Sequence, residues 1–243
     1  MRLSELYNAL ENGSIETDVL SFSLKTARNL VSEIDFLVGY SKVSPSDLRV
    51  LDFGFGDASW CKMAKAYGLM VFGIEISTSA QVHARQLDIH VIQLDDLRKE
   101  TFDYINCDQV FEHLSEPGEI LERLIMSLKQ SGLMIISVPN SNRMKSRIRK
   151  MRNRKISRND IMPLSPLEHV NTFTHDSLVR FAKKHNLELV RPNLIQLYNA
   201  QVGWFSLKQF LFNFLRPVYR HYFPKTTYLY LRKSNNSSMT SQA

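Results

Sequence analysis

An α/β fold built on a mostly parallel sheet is the expectation for this chain, and three observations carry it. Five short apolar runs alternate with helix-length segments between residues 49 and 138. The first run stops at a glycine-rich turn that opens a helix. With 243 residues, 44% hydrophobic and 23% charged, the chain suits one large domain with a well-buried sheet.

From Leu3 to about Tyr40, Leu20, Leu24, Ala27, Leu30, Val31, Ile34 and Leu37 recur at helical intervals, giving one or two amphipathic helices. Ser44-Pro45-Ser46-Asp47 is a loop signal, and Arg49 to Phe53 is the first strand, stopped by Gly54. A helix from about Asp57 to Tyr67 ends at Gly68, and Met70 to Glu75 is the second strand. Strands at His90 to Leu94 and Phe102 to Cys107 follow. A helix from about Pro117 to Lys129, closed by Gly132, leads into the fifth strand, Leu133 to Val138. Thr174-His175-Asp176-Ser177 starts a helix that runs to about His185. A strand over about Leu187 to Leu197 and a last one at Thr227 to Leu231 complete the pattern.

Residues 1–233 therefore read as a single domain. A helical cap covers 1–44, the core 45–140, a basic loop or lid 141–165, and a C-terminal part 166–233 that carries an aromatic insertion at 203–223. The polar tail 234–243 is expected to be disordered.

The formal charge is +7, but the stretch from Arg143 to Arg158 alone carries nine Lys or Arg and no acid. The basicity belongs to one loop, so it poses the question of what that loop meets. Cys61 and Cys107 stand apart from any metal-knuckle or disulfide spacing, which fits a reducing compartment. Met1 to Glu5 lack a signal-peptide pattern and no apolar run approaches a membrane span, so a cytoplasmic protein is expected.

Asp52-Phe53-Gly54-Phe55-Gly56-Asp57-Ala58 stands where the first strand turns into a helix, and there glycines let a ligand approach backbone N–H groups. A dinucleotide site wants Gly-x-Gly-x-x-Gly, and Ser59 occupies the third glycine position. Asp52 would also repel a pyrophosphate, whereas it suits the amino group and sulfonium of S-adenosylmethionine. Glu75 ends the second strand, where a carboxylate can accept hydrogen bonds from both hydroxyls of a ribose. Asp95, after the third strand, is placed for the adenine edge. Taken singly, Glu75 and Asp95 read equally well as solvated strand ends.

Val50 to Gly56, Phe102-Asp103-Tyr104-Ile105, Val110-Phe111-Glu112-His113-Leu114 and Gly132 to Asn140 follow one another in order. In this the chain resembles the class I S-adenosylmethionine-dependent methyltransferases of the UbiG-like and glycan-cluster type, over roughly residues 45 to 185. The resemblance implies a Rossmann-like sheet of seven strands, mostly parallel with the last antiparallel and with helices on both faces. It makes 45–140 the cofactor-binding core, with Asp52, Gly54 and Gly56 at the methionine end, Glu75 at the ribose and Asp95 at the adenine. Ile76, Asp96 and Asp108 complete the expected cofactor set. Ala58 stands where many members have glycine, and Phe55 replaces a smaller residue, which would narrow the pocket.

Methyl transfer is an in-line displacement that needs alignment more than a special nucleophile, but a hydroxyl acceptor must lose a proton. His113 is the first candidate base, with Glu112 beside it as orienter and His169 as a second candidate from the later region. The competing reading is that His113 caps the next helix. Gln109 to His113 also resembles the Glu-x-x-Glu-His metal set of small-RNA 3′-terminal 2′-O-methyltransferases, with His169 as a distant ligand. Gln109 puts an amide where the first carboxylate belongs, and no metal is expected.

The expected acceptor is a small molecule, a glycan or a lipid-linked, phosphate-bearing group gripped by the basic loop, with a solvated loop as the equal alternative. The loop has no interleaved aromatics, which disfavours RNA. Trp204, Phe205, Phe210, Phe212, Phe214, Tyr219, Tyr222 and Phe223 serve either core packing and a dimer contact or docking on an anionic membrane face. A catalytically silent binding module on the same fold is the rival from another class.

Overall fold

The computed structural model describes residues 24–41, 43–139, 141, 169–191 and 227–234. The basic segment, the aromatic insertion, the first 23 residues and the tail beyond Ser234 lie outside the described residues, and the expectations placed on them with it. The chain divides into two compact units, one holding the described residues through Val91 and the other those from Ile92 onward.

In the first unit, helix α1 (Leu24–Ser41) precedes a short 3-10 turn (Pro45–Asp47) and strand β1 (Arg49–Phe53). Helix α2 (Ser59–Ala66), strand β2 (Met70–Ile74), helix α3 (Thr78–Gln86) and strand β3 (His90–Val91) follow. β2 lies parallel to both β1 and β3, with Arg49 opposite Met70 and Phe72 opposite His90. Ala27, Val31, Ile34 and Leu37 of α1 are buried at helical spacing, which fixes the inward face. The Trp60 indole N–H donates to the Glu33 carboxylate at 2.8 Å and ties α2 to α1.

Periodicity leaves α3 unmarked because only Ala84 of its nine residues is buried. Its signal is the cap instead: the Ser77 hydroxyl accepts the Ala80 N–H. β3 is shorter than the apolar run promised.

In the second unit, the chain past β3 tightens into a 3-10 helix (Leu94–Lys99) and then forms strand β4 (Phe102–Asp108). Helix α4 (Pro117–Ser127), strand β5 (Leu128–Val138), helix α5 (His175–Lys184) and strands β6 (Leu187–Val190) and β7 (Thr227–Lys233) complete it. β5 is parallel to β4, while β7 is antiparallel to β5 and β6. α4 stops two residues earlier than expected because the strand already begins at Leu128. The β4–β5 register then skips between Phe102 and Tyr104. Gly132 makes the bulge possible, since a Cβ there would meet Leu128 Cδ1 at 2.7 Å and the Lys129 carbonyl at 2.9 Å. α5 opens on a capping box in which Thr174 Oγ1 accepts the Ser177 N–H and Ser177 Oγ accepts the Thr174 N–H.

The seven strands stand in the order β3-β2-β1-β4-β5-β7-β6; the pairs within the first unit are parallel, and within the second only those that β7 makes are antiparallel. Val50 to Phe53 of β1 and Tyr104 to Cys107 of β4 are buried without a break, the pattern of strands covered on both faces. No helix among the described residues is long and apolar enough to cross a membrane.

The Phe55 ring packs against β2, where Gly73 leaves room for it. A Cβ on Gly73 would lie 2.5 Å from Phe55 Cδ1 and 2.8 Å from Cε1, and Phe55 is buried. Gly73→Ala should therefore cost about 1–3 kcal/mol by overpacking, seen as a melting point lower by roughly 2–10 °C. Adding Phe55→Leu should recover part of that loss, and an additive double variant would contradict the contact.

Candidate active site

The end of β1 sets the first half of the site. Gly54, Gly56 and Ala58 all adopt positive φ (78°, 53° and 60°), so the backbone turns three times before α2 begins. The Gly54 N–H donates to the Ile74 carbonyl at 2.7 Å, pinning this turn to the end of β2. Asp52 is buried beneath it at 3% exposure, and the Cys61 thiol donates to its Oδ2 at 3.3 Å. Burial, and then the Asp52 charge, push the Cys61 thiol well up, so it stays a neutral donor.

The Glu75 carboxylate reaches back to the turn. It accepts the N–H of Gly56 at 3.0 Å, of Ile76 at 2.8 Å and of Ser77 at 3.0 Å. Ile76 beside it is 96% exposed, an apolar side chain in the open next to a carboxylate. Asp52, Gly54, Gly56, Glu75 and Ile76 are thus brought into one neighbourhood within the first unit.

The acids of the second unit have partners of their own. Asp95, in the 3-10 helix, accepts from Arg123 of α4 at 2.6 Å. Asp96 binds Lys99 at 3.0 Å and the Gln93 N–H at 3.4 Å, and its hydrogen bond from Lys99 holds its pKa down. Asp108, at the end of β4, accepts the Ser137 hydroxyl, which in turn accepts from Gln109 Nε2 at 2.7 Å. Gln109 makes that reach from a left-handed backbone at φ 56°.

Past Gln109 the chain turns and brings three polar side chains together. One ligand-capable atom from each of Glu112, His113 and His169 lies within 4.8 Å of those of the other two. The imidazole rings of His113 and His169 are 4.8 Å apart and meet edge-on. Glu112 is 2% exposed, and burial pushes its carboxyl pKa up against the pull of His113 and His169. Glu112 Oε2 and His169 Nδ1 are both buried without a hydrogen-bond partner. His113 does not cap α4, whose N-cap position belongs to Glu116.

Asn171 explains how two segments 56 residues apart meet at this point. Its N–H donates to the Glu112 carbonyl at 2.9 Å, and its side-chain amide donates to the carbonyls of Leu114 and, at 3.4 Å, Phe111. Phe111 is fully buried and packs edge-on against Phe181 of α5. Asp108 is among the expected cofactor residues, but its bonding to Ser137 and Gln109, like the role of Asn171, has no signature in the sequence.

A methyltransferase-domain family profile matches residues 24–191, which is more than half of the chain. The chain belongs to the class I S-adenosylmethionine-dependent methyltransferases. A ubiquinone biosynthesis O-methyltransferase of Bradyrhizobium sp. (strain ORS 278) is 32% identical over 106 residues, 40% of this chain and 42% of that protein. One of Nitrobacter winogradskyi is 33% identical over 104 residues, 39% of this chain and 40% of that one. The matched stretch spans about two fifths of the length of these curated relatives.

Solved structures agree on the fold of the methyltransferase. The plantazolicin methyltransferase BpumL in complex with SAH superposes with a TM-score of 0.55 at 14% identity, over 96% of this chain and 91% of that one. Magnesium protoporphyrin IX methyltransferase (ChlM) from Synechocystis PCC 6803 gives 0.55 at 16% identity, over 86% and 84%.

Proposed function

We propose that this methyltransferase moves the methyl group of S-adenosylmethionine onto a hydroxyl of a small-molecule, glycan or lipid-linked acceptor. The observation that carries the hydroxyl reading is the convergence of Glu112, His113 and His169. An amine can attack from its neutral form, whereas a hydroxyl must shed a proton, and this cluster offers three groups able to handle one. The names of the two curated relatives described above, both ubiquinone biosynthesis O-methyltransferases, support the same direction.

On this reading Asp52 and the Gly54–Gly56 turn receive the methionine end, Glu75 the ribose hydroxyls, and exposed Ile76 an apolar face of the adenine. Asp95 serves the adenine edge and Asp108 the methionine end, each held in place by its partner, Arg123 or Ser137. Asp96, whose carboxylate is spent on Lys99 and the Gln93 N–H, steadies the turn that carries Asp95.

The acceptor oxygen's lone pair forms the new C–O bond while the C–S bond pair returns to sulfur, leaving a neutral thioether. The proton departs at the Glu112–His113–His169 cluster, where His113, 44% exposed at its side chain, is the member an acceptor reaches. Alignment of donor and acceptor supplies much of the acceleration.

The test is formation of S-adenosylhomocysteine against panels of hydroxyl, carboxyl and amine acceptors, beginning with phosphate-bearing glycans and lipids. Turnover confined to hydroxyl acceptors is expected. Turnover on amines alone, or none with cofactor bound, would overturn the hydroxyl assignment.

A further inference from the structure

We infer that Gln109 is a positioning residue for the methionine end of the cofactor: its side-chain amide sets the direction of the Ser137 hydroxyl and, through that hydroxyl, holds the Asp108 carboxylate in one orientation. The role rests on the reading above that gives Asp108 to the methionine end. In the sequence Gln109 stands out only as an amide in place of a carboxylate. Its contacts show what the amide does.

Three hydrogen bonds tie Asp108 and Gln109, both exposed, to one buried residue. Ser137, 2% exposed in β5, lies opposite Asp108 in the β4–β5 register. Its carbonyl accepts the Gln109 N–H at 3.0 Å, and its hydroxyl oxygen accepts from Gln109 Nε2 at 2.7 Å. The hydroxyl itself donates to Asp108 Oδ1. Gln109 makes its two bonds from a left-handed backbone at φ 56°, a region that few residues other than Gly, Asn and Asp adopt. Main chain and side chain of one residue thus grip Ser137 at two points, and this double hold offsets the strain of the turn.

The direction of the chain follows from the chemistry of its members. A hydroxyl has one proton to give and lone pairs to accept with. The Gln109 amide fills the accepting side of Ser137 Oγ, which leaves the single proton for Asp108. A carboxylate that receives it is fixed in rotation, ready to accept a charge-assisted hydrogen bond from the ammonium group of the cofactor. A carboxylate at position 109 has no proton to give and competes for the one that Ser137 holds.

Gln109→Glu therefore sets two effects of opposite sign against each other. The added negative charge, by Coulomb attraction alone, tightens binding of a cationic ligand. Diversion of the Ser137 proton away from Asp108 weakens it, and the positioning role requires that the second effect win.

The experiment titrates the full chain by calorimetry with S-adenosylmethionine and with 5′-methylthioadenosine, which keeps the adenosine but lacks the amino and carboxyl groups of methionine. A chelator in the buffer keeps cations off the added carboxylate. Gln109→Glu is expected to bind S-adenosylmethionine about tenfold more weakly than the native chain, and 5′-methylthioadenosine within about twofold of it. Gln109→Gly eases the left-handed turn, so its melting temperature should hold or rise, yet without the amide its affinity for S-adenosylmethionine should fall about fivefold. In a Ser137→Ala background no hydroxyl proton remains to be diverted, and Gln109→Glu should weaken binding no further. Native or tighter S-adenosylmethionine binding by Gln109→Glu, an equal loss of both ligands, or the same loss with Ser137→Ala in place would overturn the positioning role. Asp108→Ala keeps the two readings apart. Unchanged S-adenosylmethionine binding there removes Asp108 from the cofactor site and the role of Gln109 with it, whereas a loss there beside native binding in Gln109→Glu sinks the role of Gln109 alone.

Discussion

Glu75→Ala is expected to weaken S-adenosylmethionine binding about 100-fold. A hydrogen bond to a charged group is worth about 1.5–3 kcal/mol, and losing two from the ribose hydroxyls approaches 3 kcal/mol or more. The same substitution strips the acceptor from three backbone N–H groups, at Gly56, Ile76 and Ser77, so the glycine turn loosens as well. Glu75→Gln keeps one oxygen for those donors and should fall between the native protein and the alanine variant. Calorimetric titration reads all three, and native affinity in Glu75→Ala would remove Glu75 from the cofactor site.

The second large effect is on turnover. His113→Ala should slow methyl transfer to a hydroxyl acceptor by at least about 100-fold, the usual scale for losing a group that manages the acceptor's proton. Binding of S-adenosylmethionine should stay within about twofold, because His113 belongs to the loop after β4 and not to the glycine turn. Single-turnover rates with saturating cofactor separate the two quantities. An unchanged rate would return His113 to the surface residues, and a parallel loss of cofactor affinity would point to a structural disturbance.

Much of the fold was legible because its signals are local. Short, mostly apolar runs marked β1, β4 and the latter part of β5, and Thr174 announced α5 through its cap. α3 escaped because eight of its nine residues face outward or sit at the margin, leaving no apolar period to see. The early end of α4 escaped for a different reason: Leu128 and Gly132 belong to a bulge whose register is set by β4, a partner distant in sequence.

The candidate site divides along the same line. Asp52, Gly54, Gly56 and Glu75 fall at the ends of consecutive strands, so spacing alone assembles them. His169 was named, but its meeting with Glu112 and His113 depends on an asparagine whose side chain bonds to main-chain carbonyls, and carbonyls have no sequence signature. The unpartnered Glu112 Oε2 and His169 Nδ1 are likewise products of burial, which residue order does not report.

The Glu75 carboxylate meets three backbone donors in the chain by itself, and this bears on how a spent cofactor leaves. Ribose hydroxyls must displace some of those donors on arrival, so their capture is an exchange of partners whose net gain is smaller than the count of new hydrogen bonds. On departure the exchange runs backwards, and the Gly56, Ile76 and Ser77 amides recover the carboxylate without waiting for water. Such a turn lowers the barrier to emptying the site, and S-adenosylhomocysteine, which lacks the sulfonium charge that Asp52 attracts, has the least to hold it there.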